Sequence, residues 1–317
     1  MSAETTIFRA DVEAAATRIA GHVRRTPVLD TQQAIGDVPR CWLKLEHLQV
    51  SGTFKARGAF NRLLAAKEAG ELDPKLGVTI ASGGNAALAS AWAARELGVP
   101  AHVFVPLLAP RHKVEQLKRL GAHVVQGGAF YSDALDACRT FAAESSALFV
   151  HAYDMPDVAA GAGTLALELL DDVQLDTVIV AVGGGGLLAG IAAAAEGRAK
   201  VVAVEQAGAR TLHDALQAGH PVDVAVSGNA SDSLGAKRVG DIAFSVARRT
   251  GVQSVLVTDE ATLDARRALW REFRLATEHG AAVAWAALAS GAYVPAPGER
   301  VGVIVCGANT DPATLVD

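Results

Sequence analysis

The chain has 317 residues, half of them apolar and 20% charged, with a formal net charge of −5. That length accommodates two lobes around a cleft or one large α/β domain, and the excess of acids leaves no basic patch for nucleic acid. Three widely separated cysteines, Cys41, Cys138 and Cys306, argue against a disulfide framework and lack metal-site spacing.

The N-terminal residues 1–13 are polar and carry acids, without the apolar stretch of a signal peptide. The longest apolar runs, 187–195 and 281–289, are too short to cross a bilayer. A cytoplasmic enzyme with no membrane partner is therefore expected. Along the chain, apolar β-rich runs at 78–81, 101–105, 123–125, 148–150, 177–182, 201–204 and 301–305 read as strands. Helical stretches at 85–97, 111–120, 131–143 and 158–170 lie between many of them. This alternation predicts an α/β fold of open, twisted, parallel-type sheets covered by helices.

The first chemically suggestive segment is Ser51-Gly52-Thr53-Phe54-Lys55-Ala56-Arg57-Gly58-Ala59. Ser51 reads as a helix N-cap and 56–67 as the helix, which puts Lys55 in or beside the first turn. A cation there opposes the helix dipole, and its pKa is lowered. A lowered pKa suits an amine that forms a Schiff base. Taken by spacing alone, a solvated surface lysine explains the residue equally well.

Ser82-Gly83-Gly84-Asn85-Ala86 is a loop between a strand and a helix, able to hold a carboxylate on its amides or to be a simple turn. Gly183-Gly184-Gly185-Gly186-Leu187 joins an apolar strand to an Ala-rich helix, a setting for phosphate on backbone amides. Gly184-Gly185-Gly186-Leu187-Leu188-Ala189 also fits the G-x-G-x-x-A dinucleotide pattern, with Glu205 at a suitable distance for a ribose, so an NAD-dependent oxidoreductase is a rival reading. Cys306-Gly307-Ala308-Asn309 follows the last strand, where a buried cysteine commonly serves as a small hydrophobe.

From about Thr26 to the C-terminus these ordered motifs resemble the pyridoxal-phosphate-dependent threonine/serine dehydratase family of fold type II, which includes serine racemase. The resemblance implies that Lys55 carries the cofactor covalently and acts as the base, and that Phe54 packs on the pyridine ring. It assigns the phosphate to Gly183, Gly184, Gly185, Gly186 and Leu187. The substrate carboxylate falls to Ser82, Gly83, Gly84, Asn85 and Ala86, with Asn85 also on the ring hydroxyl. Cys306 faces the ring nitrogen. Two lobes follow, residues 1–48 plus 150–317 and residues 49–149, with the cofactor in the cleft between them.

Gly83 departs from serine racemase, which has a serine acid there, so elimination is expected rather than inversion. His151-Ala152-Tyr153-Asp154, Ser233-Leu234-Gly235 and Glu278 are weaker matches, and Ala162 replaces a usual glutamine. Glu205, Ala209 and Thr211 fall where the family binds a cation. With Thr211 in place of a second carboxylate, a weakly held monovalent ion is expected if any, or else a plain strand-end loop. The expected activity is β-elimination of an L-β-hydroxy amino acid to a 2-keto acid and ammonia, by a homodimer. Serine racemase activity, or a substrate such as 3-hydroxyaspartate, is the alternative.

Overall fold

The computed structural model describes residues 6–315. In chain order its elements are α1 (Arg9–Arg18), β1 (Val28–Asp30), β2 (Trp42–Lys44), α2 (Lys55–Glu68), β3 (Val78–Ala81), α3 (Asn85–Glu96), β4 (Ala101–Val105), α4 (Arg111–Arg119), β5 (His123–Gln126), α5 (Tyr131–Ser145), β6 (Leu148–Phe149) and α6 (Pro156–Asp172). The second half adds β7 (Thr177–Ala181), α7 (Gly186–Ala195), β8 (Lys200–Gln206), α8 (Thr211–Ala218), α9 (Ser231–Leu234), α10 (Asp241–Thr250), β9 (Gln253–Val257), α11 (Asp259–Phe273), α12 (His279–Ala289) and β10 (Val301–Ile304).

The strands form two sheets. One has six strands in the order β1-β2-β10-β7-β8-β9, parallel apart from the antiparallel β1–β2 pair, and the other has four parallel strands in the order β5-β4-β3-β6. Every residue of β3 and of β7 is buried, as parallel strands covered on both faces must be. Their sequences, VTIA and TVIVA, apolar but for one threonine each, are the sequence form of that burial. Each sheet has its own large apolar core. Ile19, just past α1, belongs to the core of the four-stranded sheet, whereas Val12 within α1 belongs to the other.

The chain passes from the six-stranded sheet to the four-stranded one after β2 and returns after β6. Helices α2 and α6 flank these two crossings and pack closely. A Cβ on Gly161 of α6 would stand 2.6 Å from the Arg57 carbonyl oxygen and 2.8 Å from Gly58 Cα. Below this contact lies a buried ionic cluster. Arg57 donates to Glu46 (2.8 Å) and to Glu168 (2.7 Å), and Lys44 Nζ donates to Glu168 (2.6 Å) and to the Thr26 carbonyl (2.7 Å). Two cations meet two carboxylates there with nearly every polar atom bonded, the condition under which buried charge is tolerated.

The strand and helix expectations are met to within one or two residues at most ends. Ser51 does not cap the helix, however. It lies in a short turn with φ 63°, and the helix begins at Lys55 with Phe54 as its N-cap. Strands β1, β2 and β9 were not foreseen.

Candidate active site

Lys55 is the first residue of α2, which places its ammonium against the positive end of the helix. Its Nζ donates to the Ala152 carbonyl at 2.9 Å and stands 5.1 Å from the centre of the Phe54 ring. Removal from water pulls the Lys55 pKa down to about 8, and negative charge at Cys306 or Glu278 would oppose that shift. Burial pushes the Cys306 thiol well up, so at neutral pH it is uncharged and leaves Glu278 as the effective counter-charge. The result is an amine within reach of its free-base form near neutrality.

Glu278 is buried at the N-cap of α12, and desolvation raises its pKa to about 7. Asn85, at the start of α3, donates Nδ2 to both Glu278 oxygens (2.8 and 2.9 Å) and accepts on Oδ1 from Asn309 Nδ2 (2.8 Å). Gly307 allows this approach, since a Cβ there would lie 2.3 Å from Glu278 Oε1. The Phe54 N–H donates to the Cys306 carbonyl at 3.1 Å, joining the Lys55 motif to the turn after β10. Lys55, Phe54, Asn85 and Cys306 are thus brought to one place.

Ser82, Gly83 and Gly84 form the turn between β3 and α3 and are half-buried. The Ser82 N–H donates to Phe104 of the neighbouring strand (3.2 Å), and Ser82 Oγ accepts from the Gly84 N–H (3.3 Å). Around Gly83 a Cβ would meet nothing closer than Val105 Cγ1 at 3.8 Å. Ala86 is buried and lines, with Phe54, Lys55, His151 and Leu187, a small cavity of about 20 Å³.

The glycine turn is built for close approach. Gly185 has φ +89° and caps α7. Side chains on Gly184 or Gly186 would strike the ring (2.4 Å) or carbonyl oxygen (2.5 Å) of Tyr153, and one on Gly183 would strike Leu234 Cα (2.9 Å). Without side chains, this turn presents backbone amides at a helix N-terminus, the donor set for a phosphate. A phosphate cradle, a desolvated lysine and a neutral thiol fit pyridoxal phosphate.

Glu205 does not stand free for a ribose. It is fully buried, accepting from the Leu212 and His213 N–H groups (both 2.8 Å) and lying 3.0 Å from Thr211 Oγ1. The carboxylate therefore caps α8, which removes the acid that the dinucleotide reading required. The Thr211 hydroxyl also reaches the Gly183 carbonyl (2.7 Å), tying this corner to the glycine turn. Burial raises the Glu205 pKa to about 7, against the hydrogen bonds it accepts. Ala209 is buried next to it. Among the described residues no group of three or more His, Cys, Asp or Glu side chains is arranged to hold a metal ion.

Sequence reasoning did not single out Asn309, the partner of Asn85, although it stands in the quoted Cys306 string. It also gave no role to the Ala152 carbonyl, since any residue supplies one.

The chain matches the family model described as pyridoxal-phosphate dependent enzyme over residues 19–307. It is 38% identical to the phenylserine dehydratase of Ralstonia pickettii, covering 94% of this chain and 92% of that protein. With the L-threonine ammonia-lyase of Geobacter sulfurreducens it shares 36% identity over 96% and 76% of the respective chains. The structure of maize serine racemase superimposes with a TM-score of 0.91 at 31% identity, over 98% of this chain and 96% of that one. The chain belongs to the pyridoxal-phosphate-dependent enzyme family, in the fold type II group whose members include dehydratases, ammonia-lyases and racemases.

Proposed function

We propose that this protein is an ammonia-lyase that converts an L-β-hydroxy amino acid, threonine or serine first, into a 2-keto acid and ammonia. The observation that carries the choice of lyase over racemase is Gly83, which has space around it and no side chain to protonate a second face. The Ser82–Ala86 turn receives the carboxylate on amides at the start of α3, and Lys55 Nζ takes the proton from Cα. Bound pyridoxal phosphate supplies the electron sink for the resulting charge. The Cys306 thiol, kept neutral by burial, would face the ring nitrogen without holding it protonated. Gly183 to Leu187 hold the phosphate and Phe54 packs on the ring.

Two measurements test the reading. A visible absorption band lost on borohydride reduction, with the cofactor fixed to Lys55, establishes the cofactor site. Release of keto acid and ammonia is then followed with L-serine, L-threonine, 3-hydroxyaspartate and phenylserine. Cofactor-loaded protein that yields keto acid from none of them is not this lyase.

One observation favours an aryl-bearing substrate as a second reading. The loop after β4 begins beside Gly83 and carries Leu107 and Leu108, 61% and 87% exposed. Apolar side chains left in water on this loop would suit an apolar Cβ substituent, and the Ralstonia pickettii relative is named for phenylserine.

The two lobes are proposed as residues 1–48 with 150–317 and residues 49–149. A monovalent cation beside Glu205, Ala209 and Thr211 also remains a proposal. The protein is further proposed to be a cytoplasmic homodimer. Three free, buried cysteines support the compartment. Sedimentation velocity tests the dimer. Among the described residues no helix is long and apolar enough to cross a membrane.

A further inference from the structure

The segment that returns the chain from the four-stranded sheet, His151 to Asp154, touches both halves of the site. Lys55 Nζ donates to Ala152, and Tyr153 lies directly against Gly184 and Gly186. The His151 imidazole lines the same cavity as Lys55, Gly186 and Leu187.

One ring nitrogen of His151 is already committed. Nδ1 accepts from the Asp154 N–H at 2.9 Å and from the Tyr153 N–H at 3.4 Å. A nitrogen that accepts from backbone N–H groups carries no proton, so the neutral ring bears its single proton on Nε2. The Tyr153 ring stands edge-on to the imidazole, with centroids 4.6 Å apart at 71°, and so restricts the ring plane. Among the described residues no group accepts from Nε2. Burial holds the His151 pKa below its ordinary value, and the Lys55 charge works in the same direction. The ring is thus a neutral donor of fixed tautomer beside a glycine turn made to hold an anion.

We propose that His151 is a further ligand of the phosphate held by Gly183 to Leu187, with its Nε2–H donating to a phosphate oxygen. The inference rests on the cofactor reading above. It gives an otherwise all-backbone cradle one directional side-chain donor. Because the donor is neutral, it adds no second cation next to an amine that has to act as a base.

His151→Asn separates the two nitrogens. An asparagine carbonyl oxygen can stand where Nδ1 stands and accept the Asp154 N–H, but nothing replaces the Nε2 donor. In titrations of cofactor-free protein, the variant should bind pyridoxal phosphate about tenfold more weakly, and inorganic phosphate should compete less well by a similar factor. Nitrogen-15 spectra of the wild-type histidines should show His151 protonated on Nε2, with that signal moving when inorganic phosphate is added. Unchanged affinities in a folded His151→Asn variant would overturn the proposal. A wild-type ring protonated on Nδ1, or an Nε2 signal indifferent to phosphate, would also overturn it, and these spectra decide the matter if the variant does not fold. Wild-type protein that binds neither probe would refute the anion site, and this proposal with it.

Discussion

Asn85 Nδ2 donates to both carboxylate oxygens of Glu278, at 2.8 and 2.9 Å, and so joins the first residue of α3 to the N-cap of α12. The two residues are 193 positions apart in sequence. Through Asn309 the link continues to the Ser51 carbonyl (3.2 Å), four residues before Lys55. The Ser82–Ala86 turn is therefore tied by hydrogen bonds to the backbone that leads into Lys55.

Replacing Lys55 by alanine should lower turnover by several orders of magnitude, because the proton acceptor at Cα is lost. The fold should persist, since the change deletes a desolvated amine and one hydrogen bond to Ala152. Keto-acid assays beside a thermal melt check both halves. Near-wild-type turnover would place the base elsewhere.

Gly185→Asp should reduce cofactor affinity by more than about a hundredfold. It sets a negative charge in the proposed phosphate site. It also forces a side chain into φ +89° and within 2.4 Å of Ala243 Cβ. Cofactor retained after dialysis is the readout, and full retention contradicts the phosphate assignment.

Glu278 makes stability depend on pH in a definite direction. Its folded pKa, raised to about 7, lies above the ordinary carboxylate value, so the native state binds more protons than the unfolded one in that interval. Stability from this group is present at low pH and lost as pH rises through about 7. Between pH 5 and pH 8, urea unfolding should show Glu278→Gln gaining on the wild type by about 2 kcal/mol. Parallel profiles for the two proteins would show that Glu278 titrates normally.

Lys55 has the opposite balance. With its pKa at about 8, the folded protein sheds this proton before the unfolded chain does, so its contribution to stability grows with pH from about 8 towards the ordinary lysine value. Competitive acylation of cofactor-free protein should give a midpoint near 8 for Lys55. A midpoint equal to that of surface lysines would mean that the amine is solvated.

Wild-type protein should form little D-serine from L-serine, and Gly83→Ser should produce a measurable amount. Room exists for the new side chain, whose Cβ would be 3.8 Å from Val105 Cγ1, so the variant should melt near the wild-type temperature. Chiral chromatography reads the result. Substantial D-serine from the unaltered protein would mean that water or another group protonates the second face.

The four-stranded sheet was legible because β3 and β4 are short apolar runs bounded by turns, the form that two-sided burial imposes. Strands β1 and β2 are three residues each, VLD and WLK, and carry no periodicity of their own. β2 is a strand because Leu43 lies in register with Val303 of a distant segment. The glycine turn was visible because close approach of Tyr153 and Leu234 leaves no room for side chains there, and the Lys55 string because its residues are contiguous. Ser51 misled because its hydroxyl suits a cap, while its backbone is turned to φ 63°. The Asn85–Glu278 pair was hidden by its separation in sequence, which local patterns do not bridge.

The two crossings between the sheets have a mechanical consequence. One ends at Lys55 and the other contains Ala152, and the hydrogen bond from Lys55 Nζ to the Ala152 oxygen spans them. Two bodies joined by a pair of strands turn about those strands, so displacement is smallest at the joint and grows with distance from it. If the two proposed lobes turn about these crossings, Lys55 lies near the fulcrum, while the Ser82–Ala86 turn and the Leu107–Leu108 loop lie further along the four-stranded lobe. On the proposed reading, such a motion would leave the Lys55 amine in register with the Ala152 carbonyl while the cleft widened for substrate or product.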